Sequence, residues 1–148
     1  MNSYLKIFLF LLCLVSCNRE TKKEYAYLSS YIEDFKPTKT YEWIVILPEM
    51  GCSGCIQEGE YFLSKYASNK SILFILTNIT SLKTLQNKAK IDVKTYPNII
   101  VDRKGYNLPS TNCIYPCIIK YENGQIVSYS FQSPVSQAFQ DIRNSIDR

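Results

Sequence analysis

The sequence predicts an α/β fold, a central mixed sheet of about four or five strands with helices on both faces. Three observations carry that expectation. Two continuously apolar, β-branched runs, Trp43 to Leu47 (WIVIL) and Ser71 to Thr77 (SILFILT), flank a stretch with Ile56, Gly59, Leu63 and Tyr66 at helical spacing. Strand, helix, strand is a βαβ unit and implies parallel neighbours in one sheet. Further on, Cys117 to Tyr121 and Gln125 to Phe131 read as strands joined through Asn123-Gly124, the dipeptide that suits a tight hairpin turn with φ > 0 at both central residues.

The remaining elements fill in around these. Asn18 to Lys39 is charged and polar, with Tyr27, Leu28, Tyr31, Ile32 and Phe35 at roughly helical spacing, and it reads as a tether that becomes a helix ending before Pro37. Leu82, Leu85 and Ala89 mark a short helix, and Asn98 to Val101 (NIIV) a brief strand. A loop rich in turn formers follows, from Asp102 to Tyr115. Ser133 is placed to cap a last helix with Pro134 at its first position, and Val135, Ala138, Phe139, Ile142 and Ile146 form its apolar stripe. No internal repeat or linker divides the chain.

The N-terminus indicates the compartment. Met1 to Lys6 carries one positive charge, and Ile7 to Val15 is apolar but too short to span a bilayer, as in a signal peptide. Leu14-Val15-Ser16-Cys17 resembles a lipobox, which implies cleavage before Cys17 and acylation of that cysteine. The expected organisation is a lipoprotein signal peptide over 1–16, a tether with a helix over 17–40, and one folded domain over 41–148. Asn18 after the acylated cysteine points to the outer rather than the inner membrane, with the domain on the periplasmic side.

Composition removes several function classes. Signal-peptide cleavage takes only Lys6 from a formal net charge of +4, and no basic run exceeds Lys22-Lys23, so nucleic acid is not an expected partner. The chain has no histidine. That excludes Ser-His-Asp and Cys-His catalysis and His-containing zinc or copper sites. Cys55 is followed by Ile56, which excludes covalent haem attachment.

The chemistry is expected at Cys52-Ser53-Gly54-Cys55, between a buried strand and a helix. There the first cysteine meets the free N–H groups and the positive end of the helix dipole, which favour thiolate. The second lies about one turn on, within reach of a disulfide. In this context the sequence resembles the thioredoxin superfamily, in particular its extracytoplasmic TlpA-like and AhpC/TSA-like members, over roughly Tyr41 to Ile146. The second anchor of that resemblance is Ile114 to Ile126 (IYPCIIKYENGQI), where Pro116 matches the family's cis-proline facing the C-x-x-C and Tyr115 precedes it. The resemblance implies a thioredoxin-like fold and a membrane-anchored thiol–disulfide oxidoreductase. Cys52 would be its nucleophile and Cys55 its resolving thiol; its partners would be protein disulfides or dithiols, and it would need no cofactor.

Departures accompany the match. Gly51 stands where the family usually has Trp, and Ile46 where many members bury an Asp. Glu49 is the nearest acid and reads as a solvated loop residue rather than a proton relay. Cys117 occupies a position that is normally Thr or small. Cys113 and Cys117 admit three readings, in order: a second disulfide, a relay in which Cys117 exchanges with the C-x-x-C, and a metal site built from all four thiolates. The ligands of such a site would sit on apolar strands rather than knuckle turns, so no metal is expected. Pro48 to Cys52 (PEMGC) lacks the Thr that peroxiredoxins place before their cysteine. The competing class is a non-catalytic binding or structural module with locked disulfides.

Overall fold

A computed structural model of the chain describes residues 19–38 and 40–147. The expected signal peptide and the lipidation residue Cys17 lie outside the described residues. Residues 19–33 form helix α1, and the chain then runs β1 (Trp43–Pro48), α2 (Ser53–Tyr66), β2 (Ile72–Thr77), α3 (Leu82–Ala89), β3 (Ile99–Val101), β4 (Cys117–Glu122), β5 (Gln125–Phe131) and α4 (Ala138–Ile146). The five strands form one open sheet in the order β3-β2-β1-β4-β5. The β1–β2 and β2–β3 pairs are parallel; β1–β4 and β4–β5 are antiparallel. The architecture is therefore mixed α/β, with helices on both faces of the sheet. Among the described residues, no helix is long and apolar enough to cross a membrane.

The two faces are sorted by the period-2 alternation of strand side chains. Val45, Leu47, Phe74, Leu76 and Ile118 point to one face, under α2, α3 and α4. There Phe62 packs its ring 4.8 Å from Phe139 and 6.1 Å from Phe74. Ile44, Ile46, Leu73, Ile75, Cys117 and Ile119 point to the other face, covered by Leu28, Tyr31 and Ile32 of α1 and by Tyr106 and Leu108 of the long loop after β3. Because both faces are covered, β1 and β2 read as unbroken apolar runs. Each large apolar side chain buried this way contributes about 1.5–3 kcal/mol. Within the segment expected as a tether that becomes a helix, residues 19–33 form that helix, and it closes half of the core.

The Asn123-Gly124 hairpin forms as the dipeptide predicts, with φ of 53° and 84°. The last helix begins later than expected. Ser133 and Ser136 exchange backbone hydrogen bonds (3.0 and 3.1 Å), so residues 133–136 form a closed turn in place of a first helical turn. Val135 is consequently 96% exposed rather than part of the buried stripe. Gln132 does the capping instead, its Oε1 accepting from the Phe139 N–H at 3.0 Å.

Candidate functional site

Strand β1 delivers the chain through Glu49, Met50 and Gly51 to Cys52, which sits immediately before α2 with extended backbone angles (φ −65°, ψ 103°). Its carbonyl accepts the first helical bond, from Ile56 N–H at 2.9 Å. Cys55 lies in the first turn, and Cys52 and Cys55 are joined in a disulfide with their Cα atoms 5.3 Å apart, inside the ordinary range. Cys55 is 5% exposed, whereas Cys52 is half-buried and reaches the surface. The Cys52 side chain makes no capping hydrogen bond at the helix start.

A glycine at position 51 is demanded by the packing around it. Its φ is +145°, and a Cβ there would lie 2.2 Å from the Ile114 carbonyl oxygen. That same oxygen accepts the Cys52 N–H at 3.2 Å. The Gly51–Cys52 loop is thus docked on the 3₁₀ turn Thr111–Ile114, and no larger residue fits between them. Gly59, one turn and a half into α2, lets the helix settle on β1: a Cβ there would meet Leu47 Cδ1 at 2.4 Å.

A cleft of about 420 Å³ opens beside the disulfide, between Cys52, Cys55 and Glu58 on one side and Gln132, Ser133 and Gln137 on the other. Glu58 is held by Arg143 (Oε1 to Nη2, 2.8 Å) and by Gln132 Nε2 at 3.4 Å. Gln132 also donates its backbone N–H to the Pro116 carbonyl at 2.9 Å, tying the start of β4 to the cleft. Met50 and Ile114 leave apolar surface beside the motif, 64% and 43% exposed. Sequence reasoning missed Glu58, Gln132 and Arg143. They meet across separations of 74 and 85 residues, which no local pattern encodes.

Several expectations are corrected here. Every peptide bond among the described residues is trans, Tyr115–Pro116 included, so Pro116 is not a cis-proline. The 3₁₀ turn closes through the Tyr115 N–H to the Asn112 carbonyl (3.0 Å) and leaves Tyr115 extended (φ −108°, ψ 146°). An extended residue before proline leads into β4 through an ordinary trans bond. Glu49 is a partly exposed loop residue whose carboxylate is engaged by hydrogen bonds. It accepts from the Thr80 N–H, from Thr80 Oγ1 at 2.6 Å and from the Ser81 N–H at 3.3 Å, ahead of α3. Its partial burial raises the carboxyl pKa, and these donors more than offset that and hold it below the usual value.

Cys113 and Cys117 are both unpaired, which overturns the second disulfide. Cys117 stands opposite Ile46 in β1 and is fully buried on the α1 face of the sheet, whereas the C-x-x-C opens on the α2 face. That orientation removes the relay as well. Burial, and to a lesser extent the Glu24 charge, pushes the Cys117 thiol pKa well up, so it stays neutral and inert. Cys113 is half-buried and packs against the same α1-side core. Among the described residues, no three Cys, Asp or Glu side chains converge as a metal site would require, so the four-thiolate alternative finds no geometric support.

Fold and site together define a mixed α/β protein with a half-exposed disulfide at a helix N-terminus, beside a polar cleft. Comparison of the chain with family models, with curated proteins and with solved structures found no match.

Proposed function

We propose that the protein is a thiol–disulfide oxidoreductase of thioredoxin-like type, anchored by a lipid on Cys17 at the periplasmic side of the outer membrane, and that Cys52 and Cys55 perform the exchange. The observation that carries the reading is the Cys52–Cys55 pair itself: one sulfur at the surface before the first turn of α2, the other buried one turn on. The strand order β3-β2-β1-β4-β5, with the motif at the β1–α2 junction, is compatible with a thioredoxin-like fold.

In the reduced protein the free N–H groups at the start of α2 favour the Cys52 thiolate. That thiolate attacks one sulfur of a substrate disulfide, forms a mixed disulfide and releases one substrate thiolate. Cys55, deprotonated in its turn, attacks the Cys52 sulfur, closes the observed disulfide and releases the second substrate thiol. Two protein thiols are oxidised, one substrate disulfide is reduced, and the protons lost by the cysteines are taken up by the departing thiolates. The reverse sequence oxidises a dithiol, and the partner's potential sets the direction. The cleft beside Cys52 gives a substrate chain room to approach the outer sulfur.

The test is a trapping experiment. Cys55→Ser should accumulate mixed disulfides with a model peptide disulfide through Cys52, and Cys52→Ser should accumulate none. Equal trapping by both variants, or none by either, would contradict the assignment.

A further inference from the structure

Glu24 is a buried carboxylate that the exchange reaction does not use. It lies on α1 and is 5% exposed. It has no ion-pair partner among the described residues. A buried carboxylate is retained at a cost unless hydrogen bonds replace its hydration, and here every one of its partners is a neutral donor from a different part of the chain. Ser110 Oγ donates to Oε1 at 2.5 Å and Asn112 Nδ2 to the same oxygen at 2.8 Å, while Tyr129 of β5 donates to Oε2 at 3.1 Å.

Two of those donors belong to the turn on which the redox loop rests. Ser110 caps the turn by accepting the Asn112 N–H at 3.2 Å, and the Asn112 carbonyl accepts the Tyr115 N–H at 3.0 Å. Between them lies Ile114, whose carbonyl holds the Cys52 N–H and leaves no space for a side chain on residue 51. A continuous path therefore runs from α1 to the backbone of Cys52: Glu24, then Asn112 and Ser110, then the short turn they close, and last the Ile114 carbonyl.

We infer that Glu24 is a positioning residue for the Cys52–Cys55 site, holding the Ser110–Ile114 turn in the place that sets the backbone of Cys52 at the start of α2. The inference rests on the reading of Cys52–Cys55 as an exchanging pair. Charge-assisted hydrogen bonds are short and directional, and a carboxylate can accept from all three donors at once. An alanine at 24 leaves the turn free to drift, and the Cys52 N–H then loses its fixed acceptor. The sulfur shifts relative to the first-turn N–H groups, and its thiolate is stabilised to a different degree. The N-terminal helix is thereby coupled to the redox pair across the sheet without touching either sulfur.

The experiment compares full-length Glu24→Ala, Asn112→Ala and the double variant with Tyr31→Phe, which removes a different buried anchor of α1, the 2.7 Å bond to Asp102. For each, two quantities are read: the equilibrium of Cys52–Cys55 with glutathione, and the rate of Cys52 alkylation in reduced protein. Glu24→Ala and Asn112→Ala should each shift that equilibrium by about threefold to tenfold, the size expected for weakening one net hydrogen bond. The double variant should shift it no further than the larger single change, because both act through one turn. Tyr31→Phe should lower thermal stability and leave the equilibrium where it was. An equal shift in Tyr31→Phe, or an unshifted Glu24→Ala, overturns the inference. Should Glu24→Ala fail to fold, Asn112→Ala decides by the same criterion. If Cys55→Ser traps no substrate disulfide through Cys52 while Glu24→Ala and Asn112→Ala still shift the glutathione equilibrium, the oxidoreductase reading falls and the positioning role stands.

Discussion

Replacing each of three glycines around the Cys52–Cys55 motif by alanine should give three different results, and the order follows from the packing. At Gly51, φ is +145° and the new Cβ would meet the carbonyl oxygen, carbon and Cα of Ile114 at 2.2, 2.9 and 3.0 Å. These are backbone atoms and cannot rotate aside. Strain of about 1–3 kcal/mol for the forced backbone, with the loss of one net hydrogen bond worth about 0.5–1.5 kcal/mol, brings the expected destabilisation to about 2–4 kcal/mol. At Gly59 the Cβ would meet Leu47 Cδ1 at 2.4 Å, a side-chain atom in a filled core. Overpacking of about 1–3 kcal/mol is partly offset by a helix-propensity gain of up to about 1 kcal/mol, so the net loss is smaller. At Gly54 nothing lies within 4 Å, and alanine should stabilise by about 0.4–1 kcal/mol through the unfolded state. Urea unfolding of the oxidised protein, followed by the fluorescence of the single tryptophan, Trp43, measures all three. A Gly51→Ala protein within about 0.5 kcal/mol of its parent, the range of an ordinary surface change, would refute the docking of the Gly51–Cys52 loop on Ile114.

Other consequences follow from the burial of single groups. Because Cys117 faces α1 and its thiol pKa is raised by burial, Cys55→Ser should form no Cys52–Cys117 disulfide on mild oxidation, as peptide mapping would report. Asp102 is buried, which raises its pKa, but Tyr31, Lys104 N–H and Thr77 donate to it and hold the carboxyl below its usual value. Its stabilisation is therefore present above the ordinary carboxylate range and lost as pH falls through the lowered folded value. Asp102→Asn should accordingly be less stable than the parent at neutral pH, with the gap closing in acid, measurable as unfolding midpoints against pH. Cys17→Ser should release the protein from the membrane fraction or leave its precursor unprocessed. Unchanged fractionation with full-size maturation would remove the lipid anchor from the account.

The strands were legible because a strand covered on both faces needs an unbroken apolar run, and WIVIL and ILFILT are such runs. The hairpin was legible because only a few residue types tolerate φ > 0, and Asn123-Gly124 supplies two of them in order. The α4 start was misplaced because Ser133-Pro134 carries a helix-start pattern that a backbone turn between Ser133 and Ser136 takes over. The cysteines show the limit most clearly. Cys52 and Cys55 are three residues apart, so their pairing is local and the spacing alone suggests it. Whether Cys117 looks toward them depends on which face of β4 meets α2, and that is settled by its register with β1 on the other side of the chain. Glu24 was invisible for the same reason: its donors lie 86, 88 and 105 residues away.

The equilibrium reduction potential of the Cys52–Cys55 disulfide tests the central claim most directly, read by titrating the oxidised protein against a glutathione or dithiothreitol redox series. An exchanging pair whose outer sulfur reaches the surface should be reduced within the range of oxidoreductase dithiols, about −120 to −270 mV. A disulfide that stays closed until potentials below about −300 mV would be a structural staple, and the protein would then be a binding or structural module rather than an oxidoreductase.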